Sequence, residues 1–127
     1  MWKSVLAVSV GGTLGCLVRW WLGMMLNALF PEIPPGTLAV NFIGGFVIGA
    51  AIAFFGGLSA FAPEWRLFVI TGFCGGLTTF STFSGEIYGH MTEGRFGWAF
   101  GEVVVHVVGS VGLTFMGAAT VMWIRGV

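Results

Sequence analysis

A run of hydroxyl side chains interrupts an apolar segment beyond the middle of the chain. Five serine and threonine residues fall within seven positions and follow two adjacent glycines. The run reads, in order, Gly75, Gly76, Leu77, Thr78, Thr79, Phe80, Ser81, Thr82, Phe83, Ser84. Adjacent glycines weaken a helix, and backbone groups freed at membrane depth must be buried in protein or line a polar cavity. The run therefore predicts a membrane helix broken near its middle, with hydroxyls that satisfy the freed groups or solvate a permeating species.

Phe80 and Phe83 are spaced i, i+3 within this run and share one helix face. They are either packing residues or part of a site for an ion. A phenyl ring is positive at its edge and negative on its face, so ring edges beside hydroxyl donors suit an anion, whereas ring faces suit a cation. The residue types allow all three interpretations.

A second pattern lies near the C-terminus, where Glu102, His106, Ser110 and Thr114 are spaced four apart. On a helix these residues form one polar stripe in an otherwise apolar surface. An ionisable side chain that faces lipid costs about 2.5–3.5 kcal/mol, so the stripe is predicted to face protein or water. It is either part of a polar pathway or, for Glu102 and His106, an i, i+4 pair.

Two further polar residues lie in apolar segments. Asn41 is either a hydrogen-bonding contact between helices or an amide donor at a pore mouth. Arg19 lies about ten residues before the first turn, which is roughly 15 Å at 1.5 Å per residue. That depth favours a polar site over snorkelling to the lipid headgroups.

The composition is that of a membrane protein. The chain has 127 residues, of which 57% are hydrophobic and 8% charged, whereas soluble domains carry about 25% charged residues. One domain is expected over residues 1–127. The formal net charge of zero argues against a nucleic-acid partner.

The two cysteines, Cys16 and Cys74, are predicted to be small buried side chains without a disulfide. The sequence contains no nucleophile–base pair and no metal-ligand cluster of the kind that would predict an enzyme.

Four transmembrane helices account for the chain, which makes it an all-α membrane protein. They are predicted at about Ser4–Leu29, Thr37–Phe55, Arg66–His90 and Phe96–Ile124, and the loops at Phe30–Gly36, Gly56–Trp65 and Met91–Arg95. The first apolar run is too long for a signal peptide and lacks a cleavage site. Small residues spaced for helix contact occur in the first two helices: Gly11, Gly12, Gly15, Gly45, Gly49.

Four helices leave little room for an aqueous pore inside one chain. The polar surfaces are therefore predicted to face a second copy, and a two-fold homodimer is the commonest case. Lys3, Arg66 and Arg125 fall on one side of the membrane and Arg95 on the other. The positive-inside rule places the termini inside, but this small bias would also let the chain insert both ways.

Together these motifs resemble the Fluc (CrcB) family of fluoride channels, over essentially the whole chain. The resemblance is carried by Gly36–Leu38, Val40–Gly45, Thr71–Ser84, Gly15 with Arg19, Glu86, and Gly109 with Ser110. It implies a fluoride-selective channel for passive fluoride export across the bacterial inner membrane. It also implies a multi-pass, antiparallel, dual-topology homodimer with two pores at the subunit interface.

The resemblance implies roles for individual residues as well. Phe80 and Phe83 would offer ring edges to fluoride, Asn41 would donate hydrogen bonds, and Arg19 would lie in an aqueous vestibule. Further polar contacts would come from Thr79, Ser84, His106, Ser110 and Thr114. Backbone carbonyls of Gly75 and Thr78 from both subunits would bind a structural Na⁺. The family does not require Glu102 and His106, so the resemblance assigns these two no firm role.

The main alternative is a small multidrug transporter, which also has four short helices and an antiparallel dimer. Such a transporter exchanges protons for cationic drugs through a carboxylate embedded in its first helix. The first helix of this chain carries Arg19 and no acidic residue. The opposite sign of charge favours the fluoride channel.

Overall fold

The computed structural model describes residues 1–57 and 60–127, and within them all regular structure is helical. Helix α1 spans Trp2–Leu26 and is followed by a 3₁₀ turn at Asn27–Leu29, and α2 spans Pro35–Gly56. The third region consists of α3 (Pro63–Arg66), a π-helical segment (Leu67–Cys74), α4 (Gly75–Leu77) and α5 (Phe80–Thr92). Helix α6 spans Phe96–Arg125.

Four stretches are long and apolar enough to cross a membrane. They are Trp2–Leu29, Pro35–Gly56, Pro63–Thr92 and Phe96–Arg125, with 22 to 30 residues each, against the roughly 20 needed for a bilayer core of about 30 Å. The four predicted transmembrane helices are confirmed. The predicted second loop includes Leu58 and Ser59, which lie outside the described residues. The third stretch begins at Pro63, two residues earlier than that loop was expected to end.

The helix ends follow local sequence rules. Pro35 and Pro63 each occupy the first turn of a helix, where the missing N–H of proline costs nothing. The side chain of Asn27 accepts a hydrogen bond from the Thr37 amide at 3.0 Å, which satisfies a free donor at the start of α2. Gly126 ends α6 in the left-handed region at φ 70°.

Glycines let α2 approach α6 closely. A Cβ atom at Gly45 would lie 2.8 Å from the Ser110 carbonyl oxygen, and one at Gly49 would overlap the Thr114 carbonyl oxygen. From the opposite side, a Cβ atom at Gly117 would overlap the Phe46 carbonyl oxygen. The predicted packing role of Gly45 and Gly49 is confirmed, and it holds the polar stripe of α6 against α2.

Glycines also join α1 to the third region. A Cβ atom at Gly15 would overlap the Phe73 carbonyl oxygen, and one at Gly76 would overlap the Gly12 carbonyl oxygen. Gly11 is in similarly close contact with the backbone of the π-helical segment. Gly76 is therefore explained by the close approach of two helices and not by an unusual backbone conformation.

The helix breaks after the double glycine and not at it. Gly75 has ordinary helical angles, φ −63° and ψ −36°, and a Cβ atom there would meet nothing within 4 Å. The extended residues are the next two threonines, Thr78 at φ −80° and ψ 154°, and Thr79 at φ −148° and ψ 108°. The chain thus leaves the helical conformation at hydroxyl residues, whose side chains can replace lost backbone hydrogen bonds.

We expect Gly49→Ala to destabilise the protein by about 1–3 kcal/mol, because its Cβ atom would press on the backbone of α6. Gly101→Ala is the matched control, since a Cβ atom at Gly101 meets nothing within 4 Å. Thermal unfolding in detergent, followed by circular dichroism, measures both. Equal melting temperatures for the two variants would contradict the packing account.

Candidate functional site

The side chain of Asn41 on α2 clamps the extended residue Thr79. The Thr79 amide donates to Asn41 Oδ1 at 2.8 Å, and Asn41 Nδ2 donates to the Thr79 carbonyl at 3.2 Å. Thr79 is buried, so both backbone groups would otherwise lack a partner inside the membrane. The amide of Asn41 therefore serves Thr79 as a neighbouring strand would, with one donor and one acceptor.

The hydroxyls of Thr78 and Thr79 complete this link. Thr78 Oγ1 donates to the Cys74 carbonyl at 2.8 Å, and Thr79 Oγ1 accepts from the Thr82 amide at 3.1 Å, which caps the start of α5. Of the two predicted tasks of the hydroxyls, satisfying a freed backbone group is observed for Thr79, which accepts from the Thr82 amide. A further hydrogen bond, from Thr79 Oγ1 to Thr82 Oγ1 at 3.0 Å, links the two threonines.

The same hydrogen bonds withdraw donors from two particular carbonyl groups. In an uninterrupted helix the Thr79 amide would bond to the Gly75 carbonyl, and the Thr82 amide would bond to the Thr78 carbonyl. Here the first amide donates to Asn41 and the second to Thr79 Oγ1. Gly75 and Thr78 are the residues whose carbonyls were predicted to bind Na⁺. Carbonyls left without helical donors are suited to a hard cation, so the residues fit that ligand.

Two cavities meet at Thr79. One has a volume of about 520 Å³, and its lining includes Arg19, Thr37 and Thr82. The other has a volume of about 460 Å³ and is lined mainly by α2, the Thr78–Thr79 link and α6. Among the predicted residues, the second cavity is lined by Asn41, Gly75, Thr78, Thr79, Phe80, Phe83, His106 and Ser110. Most of the predicted site is thus brought together in one place.

Three predicted residues stand apart from the second cavity. Ser84 is exposed on α5 and lines neither of the two cavities. Thr114 is absent from both linings, and its hydroxyl donates to the Ser110 carbonyl at 3.0 Å. Arg19 lines only the first cavity. Its neighbour Cys16 is exposed beside it, contrary to the expectation of a buried thiol, while Cys74 is buried as expected.

The two phenylalanines of the run differ in exposure. Phe80 is 77% exposed and Phe83 only 7%, although their rings meet edge to face with centroids 5.5 Å apart. Phe83 also lies against the His106 imidazole, with ring centroids 4.6 Å apart. Phe83 is therefore held by its own chain, whereas Phe80 projects from it.

The polar stripe of α6 faces the protein interior, as predicted. Glu102 is fully buried, His106 is 4% exposed, and Glu102 Oε1 lies 3.9 Å from His106 Nε2. Sequence reasoning missed what these residues meet. Atoms of Glu86, Glu102 and His106 that could bind a metal lie within 4.8 Å of one another, contrary to the expectation of no such cluster.

The hairpin of α5 and α6 explains the missed cluster. His90 and Glu102 each lie six positions from Phe96, and Glu86 and His106 each lie ten positions from it. Residues equidistant from a tight helical turn face each other across antiparallel helices, and each i, i+4 pair shares one face. His90 Nε2 accordingly lies 3.2 Å from Glu102 Oε2. This symmetry was readable in the sequence.

Hydrogen bonding assigns the protons of the two imidazoles. The Thr79 amide is only a donor, so the Asn41 atom facing it is oxygen, and the Asn41 atom facing His106 is the NH₂ nitrogen. That nitrogen donates to His106 Nδ1 at 3.2 Å, which leaves the N–H of the neutral ring on Nε2. His90 Nε2 lies 2.6 Å from the Glu32 carbonyl, which only accepts. Both Nε2 atoms near Glu102 thus carry hydrogen.

These protons argue against a metal in the cluster. A metal ion binds the lone pair of an imidazole nitrogen, and the opposite N–H is then held by an acceptor. Coordination through His106 Nε2 would place an Nδ1–H against the donating amide of Asn41. Two imidazole Nε2 atoms instead lie near the Glu102 carboxyl group, at 3.2 Å for His90 and 3.9 Å for His106, while neither Glu102 oxygen has a hydrogen-bond partner among the described residues. A separate hydrogen bond holds Glu86, since Thr37 Oγ1 donates to Glu86 Oε1 at 2.6 Å.

Sequence comparison relates the chain to known proteins. Residues 6–118 match the family model described as CrcB-like protein, Camphor Resistance (CrcB). The chain belongs to the CrcB family. It is 56% identical over 126 residues to the fluoride-specific ion channel FluC of Pseudomonas paraeruginosa (strain DSM 24068 / PA7), covering 99% of each chain.

Other CrcB relatives are equally similar along their length. The chain is 56% identical over 125 residues to the fluoride-specific ion channel FluC of Nitrosomonas europaea, covering 98% of each chain. It is 58% identical over 121 residues to that of Paraburkholderia phymatum, covering 95% of this chain and 96% of the relative. The CrcB match includes every candidate site residue from Arg19 to Thr114.

We expect Asn41→Leu to expose the Thr79 amide, because the variant removes both hydrogen bonds of the clamp. Amide hydrogen exchange followed by mass spectrometry should then quicken roughly tenfold in peptides covering residues 78–82, as for the loss of one or two hydrogen bonds of about 1 kcal/mol each. Asn27→Leu is the control, since Asn27 bonds to the Thr37 amide. Exchange at 78–82 that responds equally to both variants would argue against a specific clamp.

Proposed function

We propose that this chain is a fluoride-selective channel that exports fluoride passively across the bacterial inner membrane. The observation that carries the proposal is the second cavity, where Asn41, Thr79, Phe83 and Ser110 place neutral polar groups and a ring around one space. The relatives at 52–58% identity are named fluoride-specific ion channels, which supports the same function.

The chemistry of the lining suits a small, strongly hydrated anion. Fluoride loses water on entering a narrow passage, so protein donors must replace that water and still release the ion. Hydroxyls, an amide and positive ring edges do so without a fixed full charge. The residues proposed to lie along the path are Asn41, Thr79, Phe80, Phe83, Ser84, His106, Ser110 and Thr114.

Arg19 is proposed to gather anions in the first cavity. A cationic side chain in a cleft raises the local anion concentration and speeds association. The Nε atom of Arg19 is buried with no hydrogen-bond partner among the described residues, so the guanidinium retains capacity for an anion. Thr79 lines both cavities, so fluoride is proposed to pass Thr79 on its way from the first cavity to the second.

A second copy is proposed to complete the pathway. Phe80 is largely exposed beside the second cavity, and Ser84 is exposed on the same helix. An antiparallel copy would cover Phe80 and close each open cavity into a pore, which gives two pores per homodimer. The small difference in basic residues between the two sides is compatible with dual topology.

A structural Na⁺ is proposed on the two-fold axis of this dimer. The carbonyls of Gly75 and Thr78 from both copies would hold it, since their helical donors are taken by Asn41 and by Thr79 Oγ1. When bound, the cation would offset the partial negative charge of carbonyls at the end of a helix. The proposal assigns it no part in the movement of fluoride.

The multidrug alternative is less well supported by the position of the acids. Glu86 and Glu102 are on the third and fourth membrane-crossing stretches, and Glu102 is fully buried against His90 and His106. A drug–proton exchanger needs an acid that a large cation can reach. The cavity that faces α1 contains Arg19, which would repel such a cation.

The function is tested by anion efflux from liposomes loaded with fluoride or chloride, with valinomycin present and ion-selective electrodes as the readout. We expect rapid fluoride release and chloride release no faster than from protein-free liposomes. Phe80→Ile removes the ring edge and Asn41→Asp replaces a donor with an acceptor, so each should slow fluoride release about tenfold or more. Phe61→Ile, which lines neither cavity, should not.

Two results would contradict the proposal. Chloride release as fast as fluoride release would exclude a selective fluoride channel. Absence of fluoride release would exclude the channel altogether, and proton release driven by a cationic drug would then favour the multidrug alternative. Unchanged fluoride release in both Phe80→Ile and Asn41→Asp would instead displace the pathway from the second cavity.

Dual topology predicts that a cysteine near the N-terminus is exposed on both sides of the membrane. Ser4→Cys, made in a chain where Cys16 and Cys74 are replaced by alanine, should react with an impermeant maleimide to about half in intact cells. Thr92→Cys, at the opposite end of the helices, should give the same fraction. Complementary labelling, near complete for one variant and near zero for the other, would establish a single orientation. Detergent-treated cells give the value for full labelling.

A further inference from the structure

His106 links the proposed fluoride pathway to the buried carboxyl group of Glu102. Its Nδ1 accepts from Asn41 Nδ2 at 3.2 Å, and its Nε2 faces Glu102 Oε1 at 3.9 Å. The ring is 4% exposed and stacks on Phe83, so it has little freedom to turn. The Nδ1 edge of the imidazole thus meets the Asn41 amide that clamps Thr79, and the Nε2 edge lies toward the Glu102 carboxyl group.

Both N–H donors of Asn41 are occupied in this arrangement. One hydrogen bond goes to the Thr79 carbonyl and the other to His106 Nδ1, while Oδ1 receives the Thr79 amide. The amide is therefore fully engaged and cannot rotate without losing all three contacts. Its orientation depends on His106 presenting a lone pair, which requires the ring hydrogen to lie on the Glu102 side.

We propose that His106 is a positioning residue for fluoride conduction: by accepting from Asn41 Nδ2 through its Nδ1 lone pair, it fixes the Asn41 amide and through it the extended Thr78–Thr79 link. This inference rests on the proposed channel function. It gives His106, which lines the second cavity, the task of supporting the proposed pathway through Asn41. Asn41 then serves mainly to hold Thr79. It can donate a hydrogen bond to fluoride only if it gives up the hydrogen bond to His106.

A second proton on His106 would reverse the contact with Asn41. The imidazolium ring carries N–H on both nitrogens, so Nδ1–H would oppose the Asn41 NH₂ group. The titratable groups that face His106 are Glu102 on its own helix and Glu86 on α5, and His90 of α5 contacts Glu102. Helix α2 carries no titratable side chain. Protonation of the ring would therefore loosen the clamp and slow fluoride conduction.

Three proteins separate positioning from mere packing: wild type, His106→Leu and His106→Asn. Leucine removes the acceptor, whereas an asparagine side chain places Oδ1 about where Nδ1 lies and cannot take up a proton. Fluoride efflux is measured for each in liposomes at neutral and mildly acidic pH, with protein-free liposomes to subtract leakage of HF. Hydrogen exchange of residues 78–82 is measured in the same proteins.

At neutral pH we expect His106→Leu to slow fluoride efflux about tenfold, the effect of one lost hydrogen bond, and His106→Asn to restore most of that loss. Any slowing of wild-type efflux on acidification that arises from His106 should be absent in His106→Asn. Exchange at 78–82 should quicken in His106→Leu only. The inference is overturned if leucine leaves both efflux and exchange as in wild type, or if asparagine fails to improve on leucine.

The exchange measurement keeps this inference separate from the proposed function. If wild type does not conduct fluoride, the channel proposal fails, but quickened exchange in His106→Leu alone would still establish His106 as the residue that holds the clamp. If wild type conducts and exchange is equal in all three proteins, the channel stands and the positioning role fails.

Discussion

The structure depends on the paired hydrogen bonds between Asn41 and the backbone of Thr79. A helix that ends and restarts inside a membrane leaves amide and carbonyl groups that water cannot reach, at a cost of several kcal/mol each. One side-chain amide on α2 satisfies both groups of the buried extended residue. It also takes the amide donor that a continuous helix would have directed to the Gly75 carbonyl.

Close glycine packing makes this interaction possible. Asn41 reaches Thr79 on one side and His106 on the other because α2 lies directly on α6, where Gly45 and Gly49 admit the carbonyls of Ser110 and Thr114. A side chain at either glycine would push α6, and His106 with it, away from the amide. The apolar packing of the helices and the polar chemistry of the site are therefore set by the same contacts.

Much of this was predictable, and the failures have physical causes. The four helices follow from hydropathy and length, and the buried face of α6 follows from the four-residue spacing of its polar stripe. The double glycine does not mark the break itself, because glycine permits both unusual backbone angles and the close approach of two helices. Only the contact between Gly76 and Gly12 of α1 shows which of these two roles applies. The Asn41–Thr79 pair joins residues 38 positions apart, which no local pattern specifies. The exposure of Phe80 depends on contacts between helices, which the sequence does not specify.

The distribution of charge gives the imidazole of His106 a clear purpose. Arg19 lies in one cavity, the acids Glu86 and Glu102 lie behind the other, and the lining between them is neutral. Carboxyl oxygens beside the path would repel an anion, yet Glu102 is buried within one helical turn of it. His106 stands between the two, with N–H toward the carboxyl group and a lone pair toward Asn41. A neutral ring with one donor and one acceptor can face an acid on one side and orient a donor on the other, which neither an apolar residue nor a second acid could do.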